Sequence, residues 1–164
     1  MTHAPEPTHS TAHTSVPPKS ILICDDNDEI LELCSVILNK AGYQVQTASG
    51  HAEFSQKFDP TAPPHLIILD VQMPEHDGFW IAENLGSGVR VPIIFVTGHD
   101  RPVYRLYAPI AGAADYITKP FDPDELLLRV ETALKVLPKA SSALMQAVQN
   151  VSGRHRKIED PGQA

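Results

Sequence analysis

Short unbroken apolar runs alternate with longer stretches of helical spacing along the middle of the chain. The runs ILIC at 21–24, LIILD at 66–70 and PIIFV at 92–96 are continuous and β-branched, as strands buried on both faces must be. YQVQT at 43–47 and DYIT at 115–118 are weaker and predict strands nearer an edge. Five strands alternating with five helices predict an α/β fold, a doubly wound parallel sheet with right-handed crossovers.

The first and last helices carry recognisable boundary signals. The first ends at Gly42, a favourable residue just past a helix, and its apolar residues are Ile30, Leu33, Cys34, Ile37, Leu38 and Ala41. The last opens with Asp122 as N-cap, Pro123 at the first helical position and Glu125 as the capping-box acid. Its apolar stripe is Leu126, Leu127, Val130, Leu134 and Leu137.

The alternating region covers residues 20–137, which we expect to form one domain of common size. Residues 1–19 are rich in proline, serine and threonine and offer little to bury, so they predict a disordered N-terminal tail. Residues 138–164 are interpreted as a C-terminal tail, with a short helix predicted over 140–151.

Charge and composition exclude several partners. The 164-residue chain has a formal net charge of −7, which gives no general attraction to DNA or anionic lipid. No apolar run approaches the roughly 18 residues of a membrane helix, and no signal-peptide segment opens the chain. Cys24 and Cys34 fall in a predicted strand and helix, which favours buried free thiols in a reducing compartment. We therefore expect a cytoplasmic protein with no direct DNA or membrane binding.

Polar residues follow four of the five predicted strands. Asp25 and Asp26 follow the first, Asp70 ends the third, Thr97 follows the fourth and Lys119 follows the fifth. Sites in open α/β sheets form outside the carboxyl ends of the strands, so these side chains are expected to converge. A single polar residue at a strand end is common, but five at four strand ends indicate a site.

The residue types narrow the chemistry of this site. Three adjacent carboxylates repel one another, and a hard divalent cation such as Mg²⁺ removes that conflict. Lys119 and Thr97 suit an anion instead, through a salt bridge and a hydrogen bond, with the backbone N–H of Gly98 nearby. A metal, a cation and a hydroxyl around one carboxylate favour phosphoryl transfer, with Asp70 as the nucleophile.

The motifs ICDD, LDVQMPEHDG, FVTG and DYITKPF, in this order and strand context, resemble the receiver domain of bacterial two-component response regulators. The resemblance covers about residues 21–137. It implies a (βα)5 flavodoxin-like sheet of strand order 2-1-3-4-5 in a stand-alone, chemotaxis-regulator-like receiver. Such a receiver is a phosphoacceptor switch that assists its own phosphorylation and dephosphorylation, not a classical enzyme. It is phosphorylated by a sensor histidine kinase or histidine phosphotransfer protein.

The resemblance also implies a role for each residue of the site. Asp70 accepts the phosphoryl group, and Thr97 and Lys119 hold it. Mg²⁺, with Mn²⁺ as an alternative, is bound by Asp26 directly, Asp25 through water, Asp70 and the backbone carbonyl of Gln72. Thr97 and Tyr116 are the switch pair, and a cis peptide precedes Pro120.

Plainer interpretations stand beside these roles. Asp25 could cap the first helix, the Lys119-Pro120 pair could be an ordinary loop, and Tyr116 could be edge packing. His99 is interpreted as a solvated loop residue and Trp80 as packing. Gln72 and His99 flank the expected path of the hydrolytic water, so they are also predicted to tune the lifetime of the phosphate.

The predicted fourth helix departs from the family pattern. Pro102 fits a first turn, but Pro109 should end or kink the helix. Asp115 and Arg129 match charges typical of the dimer of DNA-binding regulators, whereas Ala114 replaces a usual acid. We therefore expect a monomer or weak dimer.

A downstream protein target is expected on the face of the fourth helix, fifth strand and fifth helix, with kinase docking nearer the first helix. Interface-favoured residues near that face are Arg101, Tyr104, Arg105, Tyr107 and Tyr116. Tyr104 and Tyr107 could equally pack inward.

Three rival functions fit the sequence less well. A phosphatase of the haloacid-dehalogenase type wants an acid two residues after the nucleophile, where this chain has Gln72. A flavin or nucleotide binder would need a glycine-rich loop after the first strand, and a pseudo-receiver would lack part of the constellation. Too few residues follow residue 137 for a helix-turn-helix or catalytic domain, which favours a stand-alone receiver.

Overall fold

Five parallel strands form the sheet at the centre of the domain. The computed structural model describes residues 17–86, 88–98 and 113–135. The strands are β1 (Ser20–Cys24), β2 (Gln44–Ala48), β3 (Leu66–Asp70), β4 (Ile93–Thr97) and β5 (Asp115–Thr118). Their order is β2-β1-β3-β4-β5, and every neighbouring pair is parallel. The predicted fold class and strand order are confirmed, with β2 and β4 displaced by one residue from the expected ranges.

Four helices are described around this sheet: α1 (Asp28–Lys40), α2 (His51–Lys57), α3 (Gly78–Glu83) and α4 (Pro123–Ala133). The helix α4 is the one predicted as the fifth. The predicted fourth helix, with Pro102 and Pro109, lies in residues 99–112, outside the described residues. The same holds for residues 1–16 of the predicted N-terminal tail and for the predicted helix at 140–151.

The core has two parts because successive strand residues point to opposite faces of the sheet. Ile21 and Ile23 belong to one apolar cluster, with buried residues of α1 and α4, whereas Leu22 and Cys24 belong to the other, with buried residues of α2 and α3. All five residues of β3 and of β4 are buried. These strands are therefore covered on both faces, as their unbroken apolar sequences predict.

The apolar face of α1 differs from the expected one. Leu31, Cys34 and Leu38 are its buried residues, whereas Leu33 is 43% exposed. The helix carries apolar residues on more than one side, so spacing alone did not identify the side that meets the sheet. Its predicted end is confirmed: Gly42 has φ of 90°, and its N–H and that of Tyr43 donate to the carbonyls of Asn39 and Leu38.

The helix α4 starts where it was predicted to start, but one detail of the predicted capping is wrong. Asp122 occupies the N-cap position and Pro123 begins the helix, yet the Asp122 side chain makes no capping hydrogen bond. Leu126 and Val130 are fully buried and Leu127 and Leu134 are partly buried, as expected. Glu125 accepts a hydrogen bond from Arg129 over 3.5 Å, one turn further along the helix.

Candidate functional site

Three carboxylates meet at the carboxyl ends of β1 and β3. Asp25 directly follows β1, Asp26 comes next, and Asp70 is the last residue of β3. One ligand oxygen of each lies within 4.8 Å of the other two. Asp25 and Asp70 are only 2% and 3% exposed, whereas Asp26 is exposed to solvent. The parallel pairing of adjacent β1 and β3 brings these side chains together, as the sequence predicted.

This donor set fits a hard divalent cation. All three ligands are carboxylate oxygens, which Mg²⁺ prefers, and the exposed Asp26 leaves one side open to water ligands. Zinc or copper would favour nitrogen or sulfur ligands, which this cluster does not offer. Bound there, the ion would offset the repulsion between two buried acids.

Lys119 is the positive charge at this edge. It follows β5, and its Nζ donates to Asp25 Oδ2 over 2.5 Å and to Asp70 Oδ1 over 3.2 Å. Burial disfavours the ammonium, but the hydrogen bond and charge of Asp25, with those of Asp70, outweigh this and raise the pKa of Lys119. The side chain is therefore held charged, and in this state it bonds Asp25 over a shorter distance than Asp70.

The surroundings of Asp70 change its ionisation. Burial, followed by the charge of Asp25, raises the pKa of Asp70 to about 6, although Lys119 acts in the opposite direction. A carboxylate that is costly to keep charged gains more from a bound cation than a solvated one does. At neutral pH Asp70 is still largely ionised and has nucleophilic oxygens.

Asp25 does not cap α1, so the plainer interpretation of this residue is wrong. The N-cap is Asn27, whose side chain accepts hydrogen bonds from the N–H groups of Glu29 and Ile30. Asp25 Oδ1 accepts the Asn27 N–H over 2.9 Å, which orients the carboxylate. Sequence reasoning missed Asn27, although an asparagine followed by two acids is a typical N-terminal signal.

Gly78 is a second residue that sequence reasoning missed. A Cβ atom there would lie 2.2 Å from the backbone oxygen of Asp70 and 3.0 Å from its carbonyl carbon. Only glycine lets α3 start this close to the end of β3. The signal was the glycine that closes the stretch LIILDVQMPEHDG.

The β3–α3 loop (residues 71–77) carries Gln72, which is exposed two positions after Asp70. Its other end is anchored by Asp77, the N-cap of α3, whose Oδ1 accepts the Trp80 N–H over 2.7 Å. Trp80 is partly buried and packs against the α2–α3 side of the core, as predicted. Met73 of this loop lies beside Cys24, with 3.7 Å between the sulfur atoms.

Thr97 and Tyr116 lie on neighbouring strands. Thr97 is the last residue of β4 and is fully buried, and β5 runs beside it. Tyr116 pairs with Phe95 across these strands and packs against the α2–α3 side of the core. Gly98 is exposed, and a Cβ there would meet nothing within 4 Å. The Lys119–Pro120 peptide is cis, as the resemblance implies.

Asp115 and Arg129 form an ion pair within the chain. Arg129 Nη1 donates to both carboxylate oxygens of Asp115 over 3.1 Å. Hydrogen bonds to Asp115, together with its charge, raise the pKa of Arg129. Ala114 beside them packs against the α1–α4 side of the core.

Several predicted residues have no described position. His99, Arg101, Tyr104, Arg105 and Tyr107 all fall within residues 99–112, outside the described residues.

The two cysteines are buried free thiols, as predicted. Burial raises the pKa of both Cys24 and Cys34 to about 12. They belong to the two opposite sides of the core, so they do not pair. Among the described residues, no helix has the length and apolar character needed to cross a membrane.

Comparison with known proteins identifies the family. The model of the response regulator receiver domain matches residues 21–131. The transcriptional regulatory protein GltR of Pseudomonas aeruginosa is 39% identical over 120 residues, covering 71% of this chain and 49% of GltR. The alkaline phosphatase synthesis transcriptional regulatory protein PhoP of Bacillus subtilis is 37% identical over 118 residues, with coverages of 71% and 49%. The chain thus spans about half the length of these relatives.

Solved structures agree with the sequence relatives. The CheY-like receiver domain protein of Methanospirillum hungatei has a TM-score of 0.64 and 31% sequence identity, covering 71% of this chain and 94% of that one. The chain belongs to the response regulator receiver family of two-component systems. Members of this family are signalling switches rather than classical enzymes. They bind Mg²⁺ through acidic residues, are phosphorylated, and interact with histidine kinases.

Proposed function

We propose that this receiver accepts a phosphoryl group on Asp70 from the phosphohistidine of a sensor histidine kinase or a histidine phosphotransfer protein. The observation that carries the proposal is the buried Asp70 carboxylate, which has two acids and a charged lysine beside it. Phosphorylation then changes which protein the domain binds.

The metal ligands we propose are Asp26, Asp70 and the backbone carbonyl of Gln72, with Asp25 acting through water. Mg²⁺ bound by these groups supplies positive charge for the phosphoryl oxygens, and Mn²⁺ is an alternative ion for the same ligands.

In the transfer step, an oxygen of Asp70 forms a bond to phosphorus while the bond from phosphorus to the histidine nitrogen breaks. The histidine keeps the electron pair of that bond, and the product is an acyl phosphate on Asp70. Lys119 leaves its hydrogen bond with Asp25 and pairs with a phosphoryl oxygen, and the Thr97 hydroxyl donates to another. Keeping Lys119 charged and close to Asp70 prepares the site for an anion.

An Asp-nucleophile phosphatase of the haloacid-dehalogenase type is the second function that the nucleophile would allow. Such an enzyme needs a general acid two residues after the nucleophile. Gln72 is in that place and cannot donate a proton as a carboxylic acid does. The receiver function therefore fits these residues better.

Phosphorylation by a small phosphodonor tests the proposal. The full chain is incubated with acetyl phosphate, with and without Mg²⁺, and phosphorylated protein is resolved by a phosphate-affinity gel. We expect a Mg²⁺-dependent band that Asp70→Asn abolishes and Asp26→Ala weakens. The exposed Asp59 in the loop before β3 provides a matched control, because Asp59→Asn should leave the band unchanged. A Mg²⁺-dependent phosphorylated band on the Asp70→Asn protein as strong as that of the wild type would falsify the assignment.

The lifetime of the phosphate is proposed to depend on Gln72 and His99. They stand two positions after Asp70 and Thr97 in the sequence, so both are expected to flank the path of the water that attacks the acyl phosphate. Their amide and imidazole groups would either orient or obstruct that water. Loss of phosphate is followed in the Gln72→Ala/His99→Ala protein after the donor is removed. A rate equal to that of the wild type would count against both residues.

The output surface is proposed to lie around β5 and α4, together with residues 99–112. Phosphate on Asp70 is expected to draw Thr97 towards it, and Tyr116 then turns inward. Amide exchange with and without beryllium fluoride tests this. Protection changes are expected across residues 98–116, and changes confined to α1 and α2 would contradict the proposal.

Further expectations from the sequence stay predictions. The receiver is expected to act in the cytoplasm, as a monomer or weak dimer. It is expected to make no direct contact with DNA, an expectation supported by its net charge of −7. Kinase docking is expected nearer α1.

A further inference from the structure

Three aromatic rings on the α2–α3 side of the domain form a cluster that the proposed phosphoryl transfer does not use. His76 stacks on Trp80, with ring centroids 3.8 Å apart and planes inclined by 15°. His51 meets both rings nearly edge-on, with centroids 4.6 Å from His76 and 4.9 Å from Trp80. The three residues come from the start of α2, the β3–α3 loop and α3, so the cluster joins three separate parts of the chain.

The loop that this cluster holds is under backbone strain. Glu75 has φ of 68°, a left-handed conformation that costs a non-glycine residue energy. The next residue, His76, donates its N–H to the Pro74 carbonyl over 2.8 Å. The stack on Trp80 and the edge contact with His51 therefore help to hold a conformation that the loop backbone does not itself favour.

Charged groups near the rings are already engaged elsewhere or make no ion pair with an imidazole. On α2, Glu53 is bonded to Lys57 and to Ser49. In the loop, Asp77 accepts the Trp80 N–H, and the remaining acids of these elements are Glu75 and Glu83. His51 Nε2 is bonded to Ser55 Oγ over 3.1 Å. Within residues 17–86, 88–98 and 113–135, no carboxylate lies in an ion pair with His51 or His76.

Protonation acts differently on one ring and on two. A single imidazolium at His76 lies on the face of Trp80, where the aromatic ring attracts a cation. A second charge on His51 would be 4.6 Å from the first, measured between ring centroids, and would repel it. Histidine is the side chain that ordinarily changes charge between neutral and mildly acidic pH, so a contact between two imidazoles is one that acid can act on.

We propose that His51, His76 and Trp80 form an acid-sensitive clamp on the β3–α3 loop. At neutral pH the three rings hold the loop against the start of α2, and when both imidazoles are protonated the contact between His51 and His76 opens. The clamp stands on the ring geometry alone. Its consequence for signalling rests on the proposed function, because the same loop carries the Gln72 carbonyl proposed as a metal ligand.

Amide exchange on the full chain tests the clamp without phosphate or metal. Protection factors are measured at about pH 7.5 and about pH 5.5, with correction for intrinsic exchange rates. We expect residues 72–78 of the wild type to lose protection about tenfold at the lower pH, relative to β1. His51→Gln removes one of the two charges and should abolish most of this loss.

The controls separate the clamp from other titrating groups. The buried Asp70, whose pKa is about 6, is present in both proteins, so it cannot produce a difference between wild type and His51→Gln. His65, which is bonded to Ser20 at the other end of the sheet, provides a matched control, because His65→Gln should behave as wild type. Equal loss of protection in wild type and His51→Gln would overturn the proposal.

Fluorescence gives a second readout, since Trp80 is the one tryptophan in the chain. Its emission should change between about pH 7.5 and about pH 5.5 in the wild type, and His76→Gln should remove most of that change. If the emission of the wild type and of His76→Gln changed with pH in the same way, the stack of His76 on Trp80 would not be the pH-sensitive contact. Neither measurement uses phosphorylation, so failure of the proposed function would not affect either result.

Discussion

Asp70 and Asp115 are both strand aspartates that bind a basic side chain, but their surroundings differ. Asp70 ends β3, is almost fully buried, and shares Lys119 with Asp25. Asp115 begins β5, and its side chain is 22% exposed and bonded twice by Arg129. At Asp70 negative charge exceeds positive charge in a poorly hydrated place, whereas at Asp115 the charge is paired and close to water.

The difference shows which acid can serve as a chemical site. Burial and the charge of Asp25 raise the pKa of Asp70 to about 6, so keeping this group ionised costs folding free energy. A bound cation lowers that cost. Asp115 already has a bidentate partner and gains little from another ligand. Excess buried charge at Asp70 therefore favours metal binding, whereas the Asp115 pair connects α4 to β5.

A substitution that moves the Asp70 backbone should lower the free energy of unfolding more than any other change at these two acids. Gly78→Ala would place a Cβ 2.2 Å from the Asp70 carbonyl oxygen, so either α3 or the end of β3 must shift. We expect a loss of about 3 kcal/mol in the free energy of unfolding, measured with urea. Gly50→Ala is the control, because a Cβ there meets nothing within 4 Å. A loss no larger than that of the control would refute the close approach.

Replacing Lys119 should have the next largest effect on the free energy of unfolding. Lys119→Met leaves Asp25 and Asp70 without their cation, and we expect a loss of about 2 kcal/mol at about pH 8 without Mg²⁺. The loss should shrink at about pH 5, where a carboxyl group can take up a proton. Added Mg²⁺ should restore part of the lost stability, as measured by unfolding in urea. A pH-independent loss would mean that Lys119 stabilises mainly by packing.

Neutralising Asp70 should raise the free energy of unfolding, whereas the two preceding substitutions lower it. The folded pKa of Asp70, about 6, is above its unfolded value near 4, so the folded chain binds the proton more tightly. This group therefore favours folding below about pH 4 and costs stability once the pH rises above about 6. Without Mg²⁺, Asp70→Asn should stabilise the protein by about 1–2 kcal/mol at about pH 8.

The same variant sharpens the comparison when the pH is lowered or Mg²⁺ is added. The gain from Asp70→Asn should shrink as the pH falls from about 6 and disappear below about pH 4, where the wild-type carboxyl is neutral in both states. Saturating Mg²⁺ should stabilise the wild type more than the variant. A variant less stable than wild type at every pH without metal would show that the Lys119 hydrogen bond outweighs the cost of burial.

Breaking the exposed ion pair between Asp115 and Arg129 should change the free energy of unfolding least. Arg129→Met removes both hydrogen bonds to Asp115, but the arginine side chain is 41% exposed. We expect a loss between about 0 and 1 kcal/mol that becomes smaller in high salt. A loss as large as that of Lys119→Met would mean that the two acids do not differ as described.

Much of the fold was predictable from local patterns. The runs at 21–24, 66–70 and 92–96 are apolar at every position, and such strands require cover on both faces. The helix boundary at Gly42 was also predictable, because glycine readily takes a positive φ. The inward face of α1 was not predictable, since that helix has apolar residues on several sides and only the sheet selects Leu31 over Leu33.

The sequence by itself determined the alternation of strands and helices and the residue types at the strand ends. Only the tertiary structure decided how those residues act on one another. Asp25 and Lys119 are 94 positions apart and meet because parallel strands end at one edge. The raised pKa of Asp70, the close approach at Gly78 and the stack of His76 on Trp80 depend on burial and distance. Desolvation, electrostatic interaction and steric exclusion act through space, so they emerge only when distant parts of the chain pack together.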